Sequence, residues 1–175
     1  MNNKIRIAVA SCLGLLTAGA ALAQNLSKDD QRYLTTMAQA NVNEVAAGNI
    51  AVQKATSPEV KSFAQKMVDD HTKGLQEVQQ VAQAKNVTLP SEPDAKHKKM
   101  ADKLNALSGQ EFDKAYIENA GVKDHKAAHK LVTDAQQKAK DPDIKALAAK
   151  LQPTIDQHMK TVPQIAGKGG APKAQ

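Results

Sequence analysis

An all-α fold, built as a four-helix bundle of two helical hairpins, is what this 175-residue sequence predicts. Three observations carry that prediction. No stretch shows the strict alternation of a half-buried strand, and Ala, Lys, Gln, Glu and Leu dominate the chain. Four long segments each open on a helix-start signal. Finally, SPEVKSFAQKM (57–67) and DPDIKALAAKL (141–151) repeat one pattern of cap, Pro, acid, β-branched residue and Lys, followed by apolar and Ala positions. Each hairpin therefore closes through a tight turn ending in a cap–Pro dipeptide, as antiparallel neighbours allow.

Residues 1–23 read as a secretory signal. Lys4 and Arg6 precede an apolar run, and Ala21-Leu22-Ala23 forms an A-x-A cleavage site before Gln24. The run is too short and too rich in Ala and Gly for a membrane span. The implied destination is the bacterial periplasm or beyond, with no transmembrane span after cleavage. A lipoprotein start at Cys12 is the weaker alternative, because it would leave an apolar head on the mature chain.

The mature domain, 24–166, then contains four helices and a disordered Gly/Pro/Lys tail at 167–175. The first helix opens at Ser27, with Asp30 in capping-box position, and runs to about Ala55. The second has Ser57 as N-cap, Pro58 at the first helical position and Glu59 in the first turn, and runs to about Lys85. The third opens at Ser108 with Glu111 as a second capping box and runs to about Lys138. The fourth opens at Asp141-Pro142 and ends near Val162, with Pro153 expected to kink it.

Between the hairpins lies NVTLPSEPDAKHKKMADKLNAL (86–107), 22 residues with two Pro and a short helix expected over Ala95–Leu107. A helix of the second one's length spans about 43 Å, which some 13 extended residues can cover. The link is long enough to run the length of the bundle. Two tight hairpins joined by such a crossover give the connectivity of ferritin-like bundles.

Composition narrows the function classes. Loss of the signal removes Lys4, Arg6 and the single Cys, leaving 22 basic against 18 acidic residues and no thiol or disulfide chemistry. The Lys residues are scattered, and with two Phe, two Tyr and no Trp the stacking surfaces of single-strand binders are missing. No nucleic acid is expected as a partner. A Gly-rich phosphate loop, a G-x-S-x-G elbow and an H-E-x-x-H pair are all absent from the sequence. The Ala-rich interior also predicts a slim bundle with little room for an organic ligand.

What stands out is the polar content of the apolar stripes. In the second helix Val60, Phe63, Ala64, Met67, His71, Leu75 and Val78 follow helical spacing, with His71 at the centre. In the fourth, Ile144, Leu147, Leu151, Ile155, His158 and Val162 do the same. The first helix carries Glu44 among Met37, Ala40, Ala47 and Ala51. In the third, His125 falls within roughly 60° of the Ile117, Gly121, Ala128, Val132 and Ala135 bunch, and His129 further round. His97, in KHKK, reads as solvated.

One inward polar group per helix, Glu44, His71, His125 and His158, makes a candidate site for one transition-metal ion (zinc, iron, copper or manganese). The competing reading is structural: a core His hydrogen-bonded to a carboxylate or carbonyl on a neighbouring helix, with Glu44 as the natural partner. Axial level decides between them. Ser57 to His71 is 14 residues and Asp141 to His158 is 17, so the two His differ by about one helical turn, about 4.5 Å, relative to their hairpin ends.

The segments NVNEVAAGNIAVQKATSPEVKSFAQKMVDDHTK, LSGQEFDKAYIENAGVKDHKAAHKL and DPDIKALAAKLQPTIDQHMK resemble the bacterial domain-of-unknown-function family 4142 over about residues 30–165. Family proteins are exported, ferritin-like in fold and frequently labelled membrane proteins, with no assigned reaction. The matching positions are Glu44, Phe63, Ala64, His71, Gly109, Phe112, Asp113, Tyr116, His125, Pro153 and His158. Di-iron members of the wider ferritin-like group place Glu three residues before each of two His. Here Val68 and Ile155 stand there, which argues against a carboxylate-bridged di-iron centre.

Three functions compete: a periplasmic bundle with one metal site, in binding or envelope stress tolerance; a non-enzymatic envelope protein with structural His residues, touching anionic lipid or polysaccharide; and a metal-dependent enzyme removing peroxide, for which no second-metal ligand is visible. A non-enzymatic role is favoured.

Overall fold

In the computed structural model, residues 26–168 are described; the signal segment and the tail beyond residue 168 lie outside them. The described residues form helices joined by turns and one long link, with no strand among them. Helix α1 is Lys28–Lys54, α2 Pro58–Ala84 and α3 Ala95–Ala106. Helix α4 covers 109–138 without a break, and α5 is Pro142–Lys168, six residues longer than its apolar pattern suggested. Helix α5 continues through Pro153 and Pro163.

The start signals act as expected at three of four helices. Ser27 Oγ accepts from the Asp30 amide at 3.1 Å, and Ser57 Oγ accepts from Val60 N at 3.4 Å. Asp141 Oδ1 accepts from the amides of Asp143 and Ile144 at 2.9 and 3.3 Å. Ser108 makes no side-chain cap bond; the turn there is carried by Gly109 at φ +60°, a backbone setting that favours glycine.

The chain path follows from cross-links between elements. α1 and α2 form one hairpin, α4 and α5 the other. The link leaves α2 near the start of α1 and runs back along it. Gln39 donates to the Glu92 carbonyl, Asn43 donates to Asp94, and Lys54 donates to the Asn105 carbonyl, one contact after another down α1. α4 then begins beside the first hairpin turn, where Asp113 accepts from Thr56 N, Thr56 Oγ1 and Ser57 N at 3.0, 2.7 and 2.8 Å. At the far end Lys85 pairs with Asp141 at 2.7 Å, and Asp30 Oδ1 accepts from Lys140 N at 2.9 Å. α4 is thus parallel to α2, and the fold is the ferritin-like bundle with a full-length crossover.

This connectivity puts the two hairpin turns at opposite ends, which changes the axial count. His71 lies about 21 Å from one end and His158 about 25 Å from the other, at 1.5 Å per residue. In a bundle a little over 40 Å long both positions fall near the middle, within about one helical turn of each other.

The core falls into two apolar clusters. One gathers Leu34, Met37, Val78, Val132, Ile144 and Leu151; the other gathers Phe63, Met67, Leu104, Phe112, Tyr116 and Val162. The buried polar groups Asn41, Glu44, His71, His125 and His158 belong to neither. α1 and α2 approach closely at Gly48, where a Cβ would stand 2.8 Å from Val68 Cγ2.

Candidate metal centre

Three imidazoles meet in the interior. His71 comes from α2, His125 from α4 and His158 from α5; His125 and His158 are fully buried and His71 nearly so. His125 Nε2 lies 3.0 Å from His158 Nδ1 and 3.4 Å from His71 Nε2. The three nitrogens all lie within 4.8 Å of one another.

The other nitrogen of each ring reveals the protonation pattern. Asn41 donates through Nδ2 to the Met37 carbonyl at 2.8 Å, so its Oδ1 is the atom turned to His71 Nδ1, 2.9 Å away. That oxygen can only accept, so Nδ1 carries the proton. His125 Nδ1 donates to the Ala120 carbonyl at 2.7 Å. His158 Nε2 donates to the Asp70 carboxylate at 2.8 Å. In neutral rings the remaining nitrogens, His71 Nε2, His125 Nε2 and His158 Nδ1, hold lone pairs. Those three are the ones that converge.

Burial pushes all three rings toward the neutral form. The His71 pKa is driven well below the imidazole value by desolvation and then by the other two rings. That of His125 falls from 6.5 to about 4, chiefly through desolvation. That of His158 is lowered by desolvation against the opposing pull of Asp70. Three lone pairs facing one another repel, and an electron-pair acceptor between them removes the conflict. Nitrogens bound about 2.0–2.1 Å from a common ion lie about 3.3–3.6 Å apart. The 3.4 Å separation falls in that range, the 3.0 Å one lies below it, and the third pair is within 4.8 Å, so small ring movements bring all three to a common ion. The donor set therefore fits a metal ion, held by three imidazoles whose outer nitrogens are each fixed by an oxygen.

A local irregularity of the backbone helps to place His125. Residues Ile117–Asp124 of α4 form a π-helical segment, a wider turn of the kind that recurs at functional sites. The Ala120 carbonyl within it receives the His125 ring. Gly121 lets the segment lie against α5, where a Cβ would stand 3.1 Å from Val162 Cγ2.

Glu44, the fourth inward group named from the sequence, stands beside this cluster. Its Oε1 is 3.8 Å from His125 Nδ1, the outer nitrogen, and its Oε2 is buried without a hydrogen-bond partner. Desolvation and then the charge of Asp124 raise its pKa well above the carboxylate range. The Tyr116 hydroxyl is likewise buried without a partner. Sequence reasoning missed Asn41 and Asp70; the only signal was the acid directly before His71 in VDDH, and it serves His158 instead. His97 is not solvated: it bonds Asp94 at 2.9 Å and lies 3.3 Å from Asp124. His129 sits outside the cluster, 3.4 Å from Asp156.

The slim interior expected from the Ala content is also corrected. A chamber of about 380 Å³ adjoins the cluster, lined by Glu44, His71, Gly74, Asp94, Asp124 and Ala128 among others. Small residues leave space where the helices diverge, and the space is polar on one side.

Comparisons with known proteins agree with the fold. A DUF305 fragment from Deinococcus radiodurans is 12% identical, with a TM-score of 0.72 over 83% of this chain and 99% of its own. A DUF305 protein from Streptomyces coelicolor, named as secreted, is 13% identical with a TM-score of 0.68, over 83% and 96% of the two chains. CopM in its Cu(I)-bound form is 19% identical with a TM-score of 0.66, over 81% and 98% of the chains. CopM in its Cu(II)-bound form gives 20% and 0.65, over 79% and 96%. At these identities the likeness is one of fold. No curated protein matches the sequence. The profile of the domain of unknown function DUF4142 matches residues 15–165, and the chain belongs to that family.

Proposed function

We propose that this protein is an exported copper-binding bundle that holds one ion through His71 Nε2, His125 Nε2 and His158 Nδ1. The observation that carries the reading is the convergence of three imidazole nitrogens whose ring partners leave them unprotonated. Imidazole suits zinc, copper, iron and nickel, and among divalent ions copper binds such nitrogen sites most strongly. The bundle fold shared with CopM, whose structures contain Cu(I) and Cu(II), points the same way. A purely structural role for the rings would account for the outer hydrogen bonds but leaves the inner lone pairs opposed. No helix among the described residues is long and apolar enough to cross a membrane, and the signal-like start directs the chain to the periplasm, where binding copper serves envelope stress tolerance.

Elemental mass spectrometry of the purified protein after exposure to copper and zinc together tests this. The expected result is one copper per chain, lost in His71→Ala/His158→Ala. Substoichiometric copper, or copper that survives the double substitution, overturns it.

A further inference from the structure

The chamber beside the imidazoles has a charge pattern that the metal centre itself does not require. The whole chain carries 24 basic and 18 acidic residues, yet the chamber is lined by five carboxylates against three lysines. Its wall includes Asp94, His97 and Asp124, which are tied together: His97 Nδ1 lies 2.9 Å from Asp94 and Nε2 lies 3.3 Å from Asp124. Lys96 also pairs with Asp124 at 3.1 Å. The buried Glu44 lines the chamber too, with Oε2 unpartnered and Oε1 3.8 Å from His125. A buried carboxylate oxygen with no donor is costly unless something visits it. Of the three converging rings, only His71 lines the chamber.

We infer that this chamber is the uptake route for the cation, in which Asp94, His97 and Asp124 gather it and Glu44 holds it in transit before it passes His71 into the three-imidazole centre. The inference rests on the reading of that centre as a metal site. A concave acidic surface on a basic protein focuses cations where the rest of the surface repels them. Glu44 supplies one oxygen donor in the chamber wall beside the cluster, at which a cation exchanges water for the carboxyl oxygen and then the carboxyl oxygen for imidazole. Transfer is a ligand exchange with no change of oxidation state: the metal–oxygen contact breaks as metal–nitrogen contacts form. Gly74 and Ala128 line the chamber together with His71.

The test is the kinetics of uptake of Cu(II), supplied to the full-length protein and followed by stopped-flow absorption of the copper–imidazole bands. Release is followed by challenge with a chelator, and affinity by equilibrium competition. Three variants are compared with the wild type. Ala127→Trp places a bulky side chain on an exposed residue of the chamber lining; a plug on the route slows uptake and release by the same factor, about tenfold, and leaves Kd unchanged. Glu44→Gln keeps the shape, replaces the carboxyl oxygen donor with an amide and slows uptake by about tenfold. Asp124→Asn slows uptake most at low salt, so that wild type and variant converge as ionic strength rises. Wild-type uptake rates in both Ala127→Trp and Glu44→Gln overturn the route while leaving the centre intact. Failure of the wild type to take up copper, or equal uptake by His158→Ala, overturns the centre itself and the route with it.

Discussion

At the residue scale, the orientation of each ring depends on an oxygen outside the ligand set. Asp70 holds His158 by its outer nitrogen, with Lys66 also on the carboxylate. Removing such a partner typically weakens metal affinity 10–100-fold. Asp70→Ala is expected to weaken copper by that amount in a chelator competition, while Asp69→Ala, at an exposed neighbour bonded to Gln65, leaves it unchanged. Acid acts on the same rings. Because the folded-state pKa of His125 is depressed from 6.5 to about 4, acidification protonates the unfolded chain before the folded one. Its contribution to the stability of metal-free protein is complete above about pH 6.5. It declines as pH falls toward about 4, by about 1.4 kcal/mol per pH unit at most. Urea midpoints measured at pH 7, 6 and 5 should fall in that order; a flat profile would contradict the neutral rings. His71 and His158 were legible because their stripes are regular. Asp70 was not, since its partner lies 88 residues away and only the packing of α2 on α5 joins them.

At the scale of elements, the irregular stretch of α4 explains a discrepancy. On a uniform helical wheel His125 sits at the edge of the apolar bunch, yet it is fully buried. A wider turn over Ile117–Asp124 slips the phase of everything after it and carries the ring inward. No residue propensity announces a π segment, so the sequence could suggest the residue but not its setting. The hairpin turns were legible through their cap–Pro dipeptides. What ties the first turn to α4 was not: Asp113 was visible only as a motif position, and it satisfies two backbone amides and a hydroxyl from 56 to 57 residues away. Asp113→Ala removes the charged acceptor of three part-buried hydrogen bonds and is expected to cost about 2 kcal/mol in urea denaturation. The close approach of α1 and α2 gives a second measurement. Gly48→Leu must displace Val68 and the Ala64 carbonyl, which a Cβ alone would meet at 2.8 and 3.3 Å. A loss of about 2 kcal/mol or more is expected.

For the whole molecule, the crossover decides where the centre can be. It places the two hairpin turns at opposite ends, so His71 and His158, counted inward from those turns, both fall near the middle of the bundle. The length of the link made that path available; only the succession of bonds from Gln39–Glu92 to Lys54–Asn105 along α1 establishes it. A ligand that binds only the folded bundle stabilises it by mass action, about 2.7 kcal/mol at a free concentration of 100 times Kd. Copper should therefore raise the melting temperature by roughly 5–10 °C for a domain of this size. The rise should vanish in the His71→Ala/His158→Ala variant, as read by circular dichroism.

His71 belongs to the first hairpin, while His125 and His158 belong to the second, and residues 26–168 contain no cysteine with which to stitch the halves. An ion shared by these rings would act as a removable rivet, closing a loop of 54 residues between His71 and His125. Cargo and fastener would then be the same object. A chaperone or chelator that withdraws the ion would also unpin one hairpin from the other, so the emptied protein would differ from the loaded one in mechanical coherence as well as in composition.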